Sequence, residues 1–424
     1  MTPDNLPPEW SWRLVQDIGK VVTGSTPSTS EAALWGGPIP FVTPTDLSQS
    51  AIVWSTARTL SDEGAARARL LPPRSVLVTC IASIGKNALT SARCCTNQQI
   101  NAIVCNELVW PEFVYYGLCH RTAELQRLAG ATAVPIVSKG KFEQFGLPLP
   151  PLPEQRKIAA ILSSVDDAIE ASQAVIDQLQ VVKKAMMAEL LTKGLPGRHK
   201  KFKNTEIGQV PVEWTVCTID SLGMNAEATV RSGPFGSSMK TKDFVASGVP
   251  VLTIQSLGHG ELLREGLFYV SNEKARELAE YKVRPNDVVF SRVADIGRCA
   301  SISREEDGWL ISPNLSRIRL DPGKTDARFL MYLITIGASV LRQVEMVAGN
   351  AGRSVISSAT LKELRLPVPE LPEQHAIAAA GQELEQRLTA ERQYLIQLQD
   401  TKSALMSVLL TGEVRVRVDK DAAA

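Results

Sequence analysis

The chain has 424 residues, 44% of them hydrophobic and 21% charged, which is ordinary globular material and enough for two or three domains with a sizeable core. Its net charge is +1, divided as +1 over residues 1–146, +2 over 147–210, +1 over 211–365 and −3 over 366–424. No segment has the basic surplus of a freestanding nucleic-acid binder, so a DNA-facing surface requires charge segregated by folding or added by a larger complex. No run approaches a membrane span, and the N-terminus lacks a charged-then-apolar targeting pattern, so a cytoplasmic location is expected. The seven cysteines form no C-x-x-C pair, and Cys94 and Cys95 are adjacent; they read as reduced core thiols rather than a disulfide framework or a zinc site.

The first segment, 1–146, reads as a compact α+β domain. Short β-type runs such as Ser75–Thr79 are broken by Gly, Pro and Ser turns, and a helical stretch follows near Pro111–Leu128. Residues 147–196 then open with Leu147-Pro-Leu-Pro-Pro-Leu-Pro-Glu-Gln-Arg-Lys-Ile-Ala-Ala. The prolines force extended backbone, Pro153 suits a first helical turn, and Glu154 favours the positive end of the helix dipole. Ile158, Leu162, Val165, Ile169, Ser172, Ile176, Leu179, Lys183, Met186 and Leu190 then step by four and three, an a/d heptad seam predicting one helix over Glu154–Leu191. Lys183 interrupts the seam; its stem is expected to be buried and its ammonium to reach solvent, with register setting as the alternative.

A basic linker, 197–210, follows a helix stop, and Lys193–Lys203 reads as a solvated tether, a phosphate-contacting strap being the alternative. A second domain, 211–365, loosely repeats the first. Glu213-Trp214 answers Glu9-Trp10, Val249–Thr253 answers Ile39–Thr43, and Pro285–Ser291 answers Pro73–Thr79. Ile296-Gly297-Arg298 answers Ile84-Gly85-Lys86, and Asn314 answers Asn97. Strand Val288–Ser291 and a helical stretch at Asp326–Val347 are expected. Residues 366–424 then repeat the proline entry 219 residues later, as Leu366-Pro-Val-Pro-Glu-Leu-Pro-Glu-Gln-His-Ala-Ile-Ala-Ala, and the alignment runs without a gap to Leu409-Leu410-Thr411. The second helix, Glu373–Leu410, has its own seam, with Gly381 in place of Leu162 and Lys402 in place of Lys183. Two helices with matching seams should pack antiparallel as a coiled coil, relating two similar globular domains by a pseudo-twofold axis.

Catalytic signatures are missing. Ile84-Gly85-Lys86-Asn87 lacks the rest of a phosphate-binding loop, and no H-E-x-x-H or G-x-S-x-G occurs. Gly233-Pro-Phe-Gly236 lacks dinucleotide-loop spacing, and there is no Asn/Asp-Pro-Pro-Tyr/Phe. Pro285-Asn286-Asp287 is not followed by acid-x-Lys, and His120, His199, His259 and His375 are scattered. A chain without enzymatic activity of its own is expected.

The duplicated Leu-Pro-x-Pro-x-Leu-Pro-Glu-Gln…Ile-Ala entries, at 147–160 and 366–379, and the tandem order resemble the specificity subunit of type I restriction-modification systems over nearly the whole chain. Supporting it are Gly24–Ser28, Trp35–Pro40, Asp46-Leu47, Gly85-Lys86 and Asn97-Gln98, then Ser232–Ser237, Asp287 and Gly297-Arg298. The resemblance implies two target-recognition domains reading a bipartite, asymmetric site on double-stranded DNA. It implies that the helices fix the spacer and dock two methyltransferase subunits, which would bind S-adenosylmethionine and methylate adenine. Motor-nuclease restriction subunits would supply ATP- and magnesium-dependent translocation and cleavage, leaving no cofactor in this chain. The rival readings are a divergent nuclease or methyltransferase with its own recognition domains, and a coiled-coil adaptor.

Base-edge contacts specify sequence, while phosphate contacts position the protein. On residue chemistry the candidate DNA contacts are Ser25, Thr26, Ser28, Lys86, Asn97, Gln98 and Lys139 in the first domain. In the second they are Arg231, Ser237, Ser238, Lys240, Lys242, Arg292, Arg298, Asn314 and Arg353. Gly24–Ser28 and Gly233–Ser237 also fit plain turns, and matched asparagines in two different readers favour a structural role. Trp35 and Tyr115 read as core.

Overall fold

In the computed structural model, residues 6–47, 51–130, 134–225, 227–236, 238–258, 260–293, 296–349 and 355–417 are described. The chain divides into two compact units, one of residues 1–175 with 391–424 and the other of residues 176–390. Each unit therefore holds one globular domain, the beginning of one long helix and the end of the other.

The two long helices follow the proline entries, spanning Leu152–Lys193 and Leu371–Leu409. Their 42 and 39 residues make them roughly 63 and 58 Å long at about 1.5 Å per residue. Every seam position named above is buried or half-buried. Within the first unit Asp166 meets Lys402 and Ser172 meets Glu391, so the helices run antiparallel. Ser172 and Glu391 occupy the same repeat position, and the Ser172 hydroxyl donates to the Glu391 carboxylate at 2.7 Å.

The first unit has a five-stranded sheet in the order Gly19–Thr23, Ile100–Cys105, Val76–Thr79, Asn87–Thr90, Ile52–Val53. A four-stranded sheet runs Arg58–Leu60, Trp35–Val42, Cys94–Thr96, Leu70–Leu71. Helices Pro111–His120 and Thr122–Arg127 cover the larger sheet, with proline in the first turn as its fixed φ allows. Val76, Val78, Ile103, Phe113 and Tyr116 form a core shared with Ile158 and Leu162 at the start of one long helix and Leu409 and Leu410 at the end of the other.

The second unit repeats this plan. One sheet runs Val230–Ser232, Leu315–Arg319, Asp287–Ser291, Cys299–Ser301, and the other Phe244–Val245, Phe268–Val270, Val249–Leu252, Leu310–Ile311. The helical stretch breaks into Ala327–Thr335 and Ala338–Gly349 at Gly337, where an added Cβ would lie 2.5 Å from the Leu333 carbonyl oxygen. Trp214, Val288, Phe290, Phe329 and Tyr332 share a core with Ile377 and with Met187, Leu190 and Leu191. Among the described residues no single helix is long and apolar enough to cross a membrane.

The proline entries are structural joints. The Gln155 amide donates to the Pro150 carbonyl at 2.8 Å and its oxygen accepts the Trp110 N–H at 2.7 Å. Gln374 does the same with Pro369 at 2.9 Å and Asp326 at 3.0 Å. Each glutamine thus ties its long helix to the N-terminus of the adjacent domain helix. The neighbouring Glu154 and Glu373 are buried. Glu154 accepts the Trp10 indole N–H at 3.1 Å and a forked pair of bonds from Arg415. Glu373 is paired with His199 at 2.9 Å and Arg198 at 3.4 Å. A carboxylate this buried persists only when paired, so the Trp and the basic groups are requirements of the joint.

Two expectations are corrected here. The linker is not a bare tether: Phe202–Thr205 and Gly208–Pro211 form a hairpin, and Lys203 donates to the carbonyls of Val212 and Trp214. The seam lysines do not reach freely into solvent. Lys183 pairs with Glu385 at 2.7 Å over the Tyr332 ring, and Lys402 pairs with Asp166, which also accepts the Tyr116 hydroxyl at 2.7 Å. Both are half-buried, where a carboxylate partner offsets the desolvation that a free ammonium would suffer.

Candidate nucleic-acid interface

The sheet holding Val76–Thr79 in the first unit and the sheet holding Asp287–Ser291 in the second each end in a cluster of loops, and the same backbone hydrogen bonds build both. In the first unit Gly24 N–H donates to Ile100 O, Cys80 N–H to Gln99 O and Val137 N–H to Cys80 O, at 3.0, 2.8 and 2.9 Å. In the second, Gly233 donates to Leu315, Arg292 to Asn314 and Ile356 to Arg292, at 2.9, 3.2 and 2.9 Å. Gly24 and Gly233 are required by close approach. An added Cβ would lie 2.1 Å from Asn97 O in one case and 2.0 Å from Ser312 O in the other. The hairpin after each central strand turns at Gly85, φ 88°, and at Gly297, φ 96°. Arg74 and Asn286, just before those strands, both have positive φ, at 61° and 69°.

These bonds fix which residues correspond. Gly24 matches Gly233, so Thr26 matches Phe235; Thr79 matches Ser291, so Cys80 matches Arg292. Asn97 donates its N–H to Val42 O at 3.1 Å as Ser312 does to Leu252 O at 2.9 Å, so Asn97 matches Ser312 and Gln98 matches Pro313. The match of Asn97 with Asn314 is therefore corrected by two positions: Asn314 stands where the first domain has Gln99.

In the first unit the cluster brings together Ser25, Thr26, Asn97 and Gln98. The Ser25 N–H donates to Thr96 O at 2.8 Å, and the exposed Thr26 hydroxyl donates to Gln98 Oε1 at 2.8 Å. The Asn97 side chain is occupied within its own turn, donating to Gln99 Oε1 at 2.9 Å and accepting the Gln99 N–H at 3.1 Å. Lys86 is exposed on the hairpin and makes no ion pair among the described residues. Lys139, at the start of the short helix Lys139–Glu143, pairs with Glu143 at 3.5 Å. Ser28 bonds Ser30 at 2.8 Å and its carbonyl accepts the Trp35 indole N–H at 3.0 Å. Trp35 is half-buried with the Arg58 guanidinium 3.6 Å over its ring, while Tyr115 is buried.

In the second unit Arg292 and Asn314 meet at the corresponding place. Asn314 is exposed, and the buried Nε of Arg292 has no hydrogen-bond partner among the described residues. Ser238 closes the tip of the preceding loop by donating its N–H to Phe235 O at 2.8 Å, and Lys240 and Lys242 are exposed. Arg298 donates to the Leu257 carbonyl at 3.3 Å. Arg231 is drawn into an ion pair with Glu280, beside the buried Arg317, whose pKa is pushed down to about 10 by burial and by the neighbouring Arg319. Ser237 and Arg353 lie outside the described residues.

Phe235 has no donor or acceptor, so residue chemistry that matches polar groups to base edges does not select it. Its signal is an aromatic held between Pro234 and Gly236, outside any strand or helix period. No group of His, Cys, Asp and Glu able to hold a metal occurs among the described residues. The seven cysteines are free thiols, and burial pushes Cys80 up to about 11 and Cys94 up to about 12.

A family model described as the type I restriction modification DNA specificity domain matches residues 7–181 and 211–399. The chain is similar to the specificity subunit of type I restriction enzyme MjaVIII of Methanocaldococcus jannaschii, at 27% identity over 338 residues, 79% of this chain and 76% of that one. It is also similar to the MjaIX specificity subunit of that organism, at 23% identity over 422 residues, 97% of this chain and 95% of the relative. Among solved structures, the type I restriction-modification S subunit from M. genitalium covers 96% of this chain and 99% of its own length, with TM-score 0.60 and 13% identity. A chain from a study of assembly and conformational transition in the type I R-M system has TM-score 0.58 and 17% identity, covering 97% of this chain and 100% of that one. At these identities the structural likeness is one of fold.

Proposed function

From the premise that this chain belongs to the type I restriction-modification DNA specificity family, we propose that it chooses where on double-stranded DNA such a complex acts. The chain is the recognition component and carries no catalysis of its own. Each globular domain reads one half of a bipartite, asymmetric site through its loop cluster, and the long helices set the unspecified spacer. Two methyltransferase subunits dock on the chain and supply S-adenosylmethionine chemistry on adenine. Motor-nuclease restriction subunits supply ATP- and magnesium-dependent translocation and cleavage. The assembly works in the cytoplasm.

The observation that carries this reading is one loop scaffold built twice with different side chains at its tips. At the tips the exposed Thr26 and Gln98 of the first domain stand where the second has Phe235 and Pro313, and behind them the buried Cys80 stands where the second has the half-buried Arg292, on matching backbone bonds. A pair of readers needs this: a common frame to hold register, and different groups to meet different base edges. The exposed lysines, Lys86 in the first cluster and Lys240 and Lys242 in the second, suit phosphate.

The test is to assemble the chain with its modification subunits and map the methylated sites. Replacing residues 1–146 by the corresponding domain of a relative is expected to change one half of the site only. A change in both halves, in a complex that still assembles, refutes independent reading. Purified chain free of partners is expected neither to methylate nor to cleave DNA; robust turnover would instead favour an enzyme with its own recognition domains. A chain without salt-dependent DNA affinity would favour the adaptor.

A further inference from the structure

We infer that Phe235 recognises the methyl group of one thymine in the half-site read by the second domain; the inference rests on the proposed DNA-recognition function. Phe235 is 82% exposed, more than any other large apolar side chain among the described residues. Burial of such a side chain is favourable, so its exposure at a loop tip forgoes stability. The tip is held firmly from both sides. Gly233 is hydrogen-bonded to Leu315 O at 2.9 Å with no room for a Cβ, and Ser238 N–H closes onto Phe235 O at 2.8 Å.

The surroundings favour a polyanion over an apolar protein partner. Lys240 and Lys242 follow on the same loop, exposed and without an ion pair among the described residues. Arg292 and the exposed Asn314 stand at the adjoining turn. The first domain supplies the contrast: at the same two positions it presents the hydrogen-bonded pair Thr26–Gln98, where the second presents Phe235 and Pro313. Hydroxyl and amide have both been replaced by hydrocarbon. In the major groove the apolar feature a base pair presents is the thymine C5 methyl, which Phe contacts favourably, whereas an amide or hydroxyl is matched to donors and acceptors.

The experiment uses the chain assembled with its modification subunits and a duplex carrying its mapped site. Each thymine of the second half-site is replaced in turn by deoxyuridine, which removes the methyl group alone. At one thymine, affinity is expected to fall about fourfold, the effect of unburying one methylene-sized group. Phe235→Ala is expected to bind the thymine duplex as weakly as the parent binds that uracil duplex, and to be insensitive to the exchange. Phe235→Leu should retain part of the sensitivity, and replacements in the first half-site should affect parent and variants alike. The inference is overturned if no thymine shows a methyl effect that depends on Phe235, or if the second half-site contains no A·T pair. It is also overturned if Phe235→Ala abolishes a DNA bend without methyl dependence, which marks a wedge between base steps. A complex that does not prefer the mapped site over a scrambled duplex sinks the recognition reading together with this one. Preference without Phe235-dependent methyl sensitivity sinks this one alone.

Discussion

Gly381 provides a sharp test of the packing argument. It lies inside a helix, where Gly→Ala ordinarily stabilises by about 0.5–1 kcal/mol because the unfolded chain loses freedom. Here an added Cβ would lie 2.6, 2.7 and 2.9 Å from Cζ, Cε2 and the hydroxyl oxygen of Tyr332, a ring that is only 1% exposed. Several atoms of a fully packed ring cannot yield together, and overpacking of this kind costs about 1–3 kcal/mol. The second effect wins, so Gly381→Ala is expected to lose about 1 kcal/mol of net stability. Two other helical glycines serve as controls. Gly140 has nothing within 4 Å of a built Cβ, and at Gly117 the nearest atom is Leu147 Cδ2 at 3.7 Å, an ordinary contact. Gly140→Ala is expected to stabilise, and Gly117→Ala to be neutral or stabilising. The assay is urea unfolding of the full chain, read as a shift in midpoint at constant slope. Tyr332→Leu clears the space, so in that background Gly381→Ala should no longer destabilise. If Gly381→Ala raises the midpoint as Gly140→Ala does, the steric reasoning is wrong.

Two further predictions follow from the joint and from the helices. At His199 burial lowers the pKa, but hydrogen bonds and charge from Glu373 and Glu213 outweigh it and the net shift is upward. The stability it contributes is full below its unfolded value of about 6.5 and is lost as pH rises through the folded value. His120 is shifted the opposite way, chiefly by burial, so the difference between parent and variant is the quantity to read. The parent should lose stability relative to His199→Gln between pH 6 and pH 8, measured by urea unfolding; a pH-independent difference would refute the assignment. In the long helix, four residues inserted within Ala171–Lys184 add about 6 Å and about 40° beyond a full turn, against about 3.4 Å and about 35° for one base pair. The rotation decides in favour of a spacer longer by one base pair with both half-site sequences kept, at some cost to the heptad seam; an unchanged spacer in an active variant rules out the helix as the ruler.

Much of the frame was legible in the chain because its signals are local. Prolines exclude helix and heptads compel it, so the expected Glu154–Leu191 and Glu373–Leu410 fall within two residues of the observed Leu152–Lys193 and Leu371–Leu409. Strands Val76–Thr79 and Asp287–Ser291 appear where the short β-type runs Ser75–Thr79 and Val288–Ser291 place them. The tandem order needed only the repeat of the proline entry.

The loop clusters were legible only in part. Polar residue types pointed to Thr26, Gln98, Arg292 and Asn314, which the fold does bring to the sheet ends, but also to Ser28, Lys139 and Arg231, which it engages in local bonds. The same letter at Asn97 and Asn314 invited a match that the backbone bonds place two residues off.

The sequence by itself determined the duplication, the two long helices and their apolar seam, because proline geometry and side-chain periodicity act over a few residues. Tertiary structure alone decided the partners of Lys183 and Lys402, the burial of Glu154 and Glu373, the need for glycine at 381 and the exposure of Phe235. Each of these depends on which distant atoms are brought within a few ångströms, and no local pattern encodes that distance.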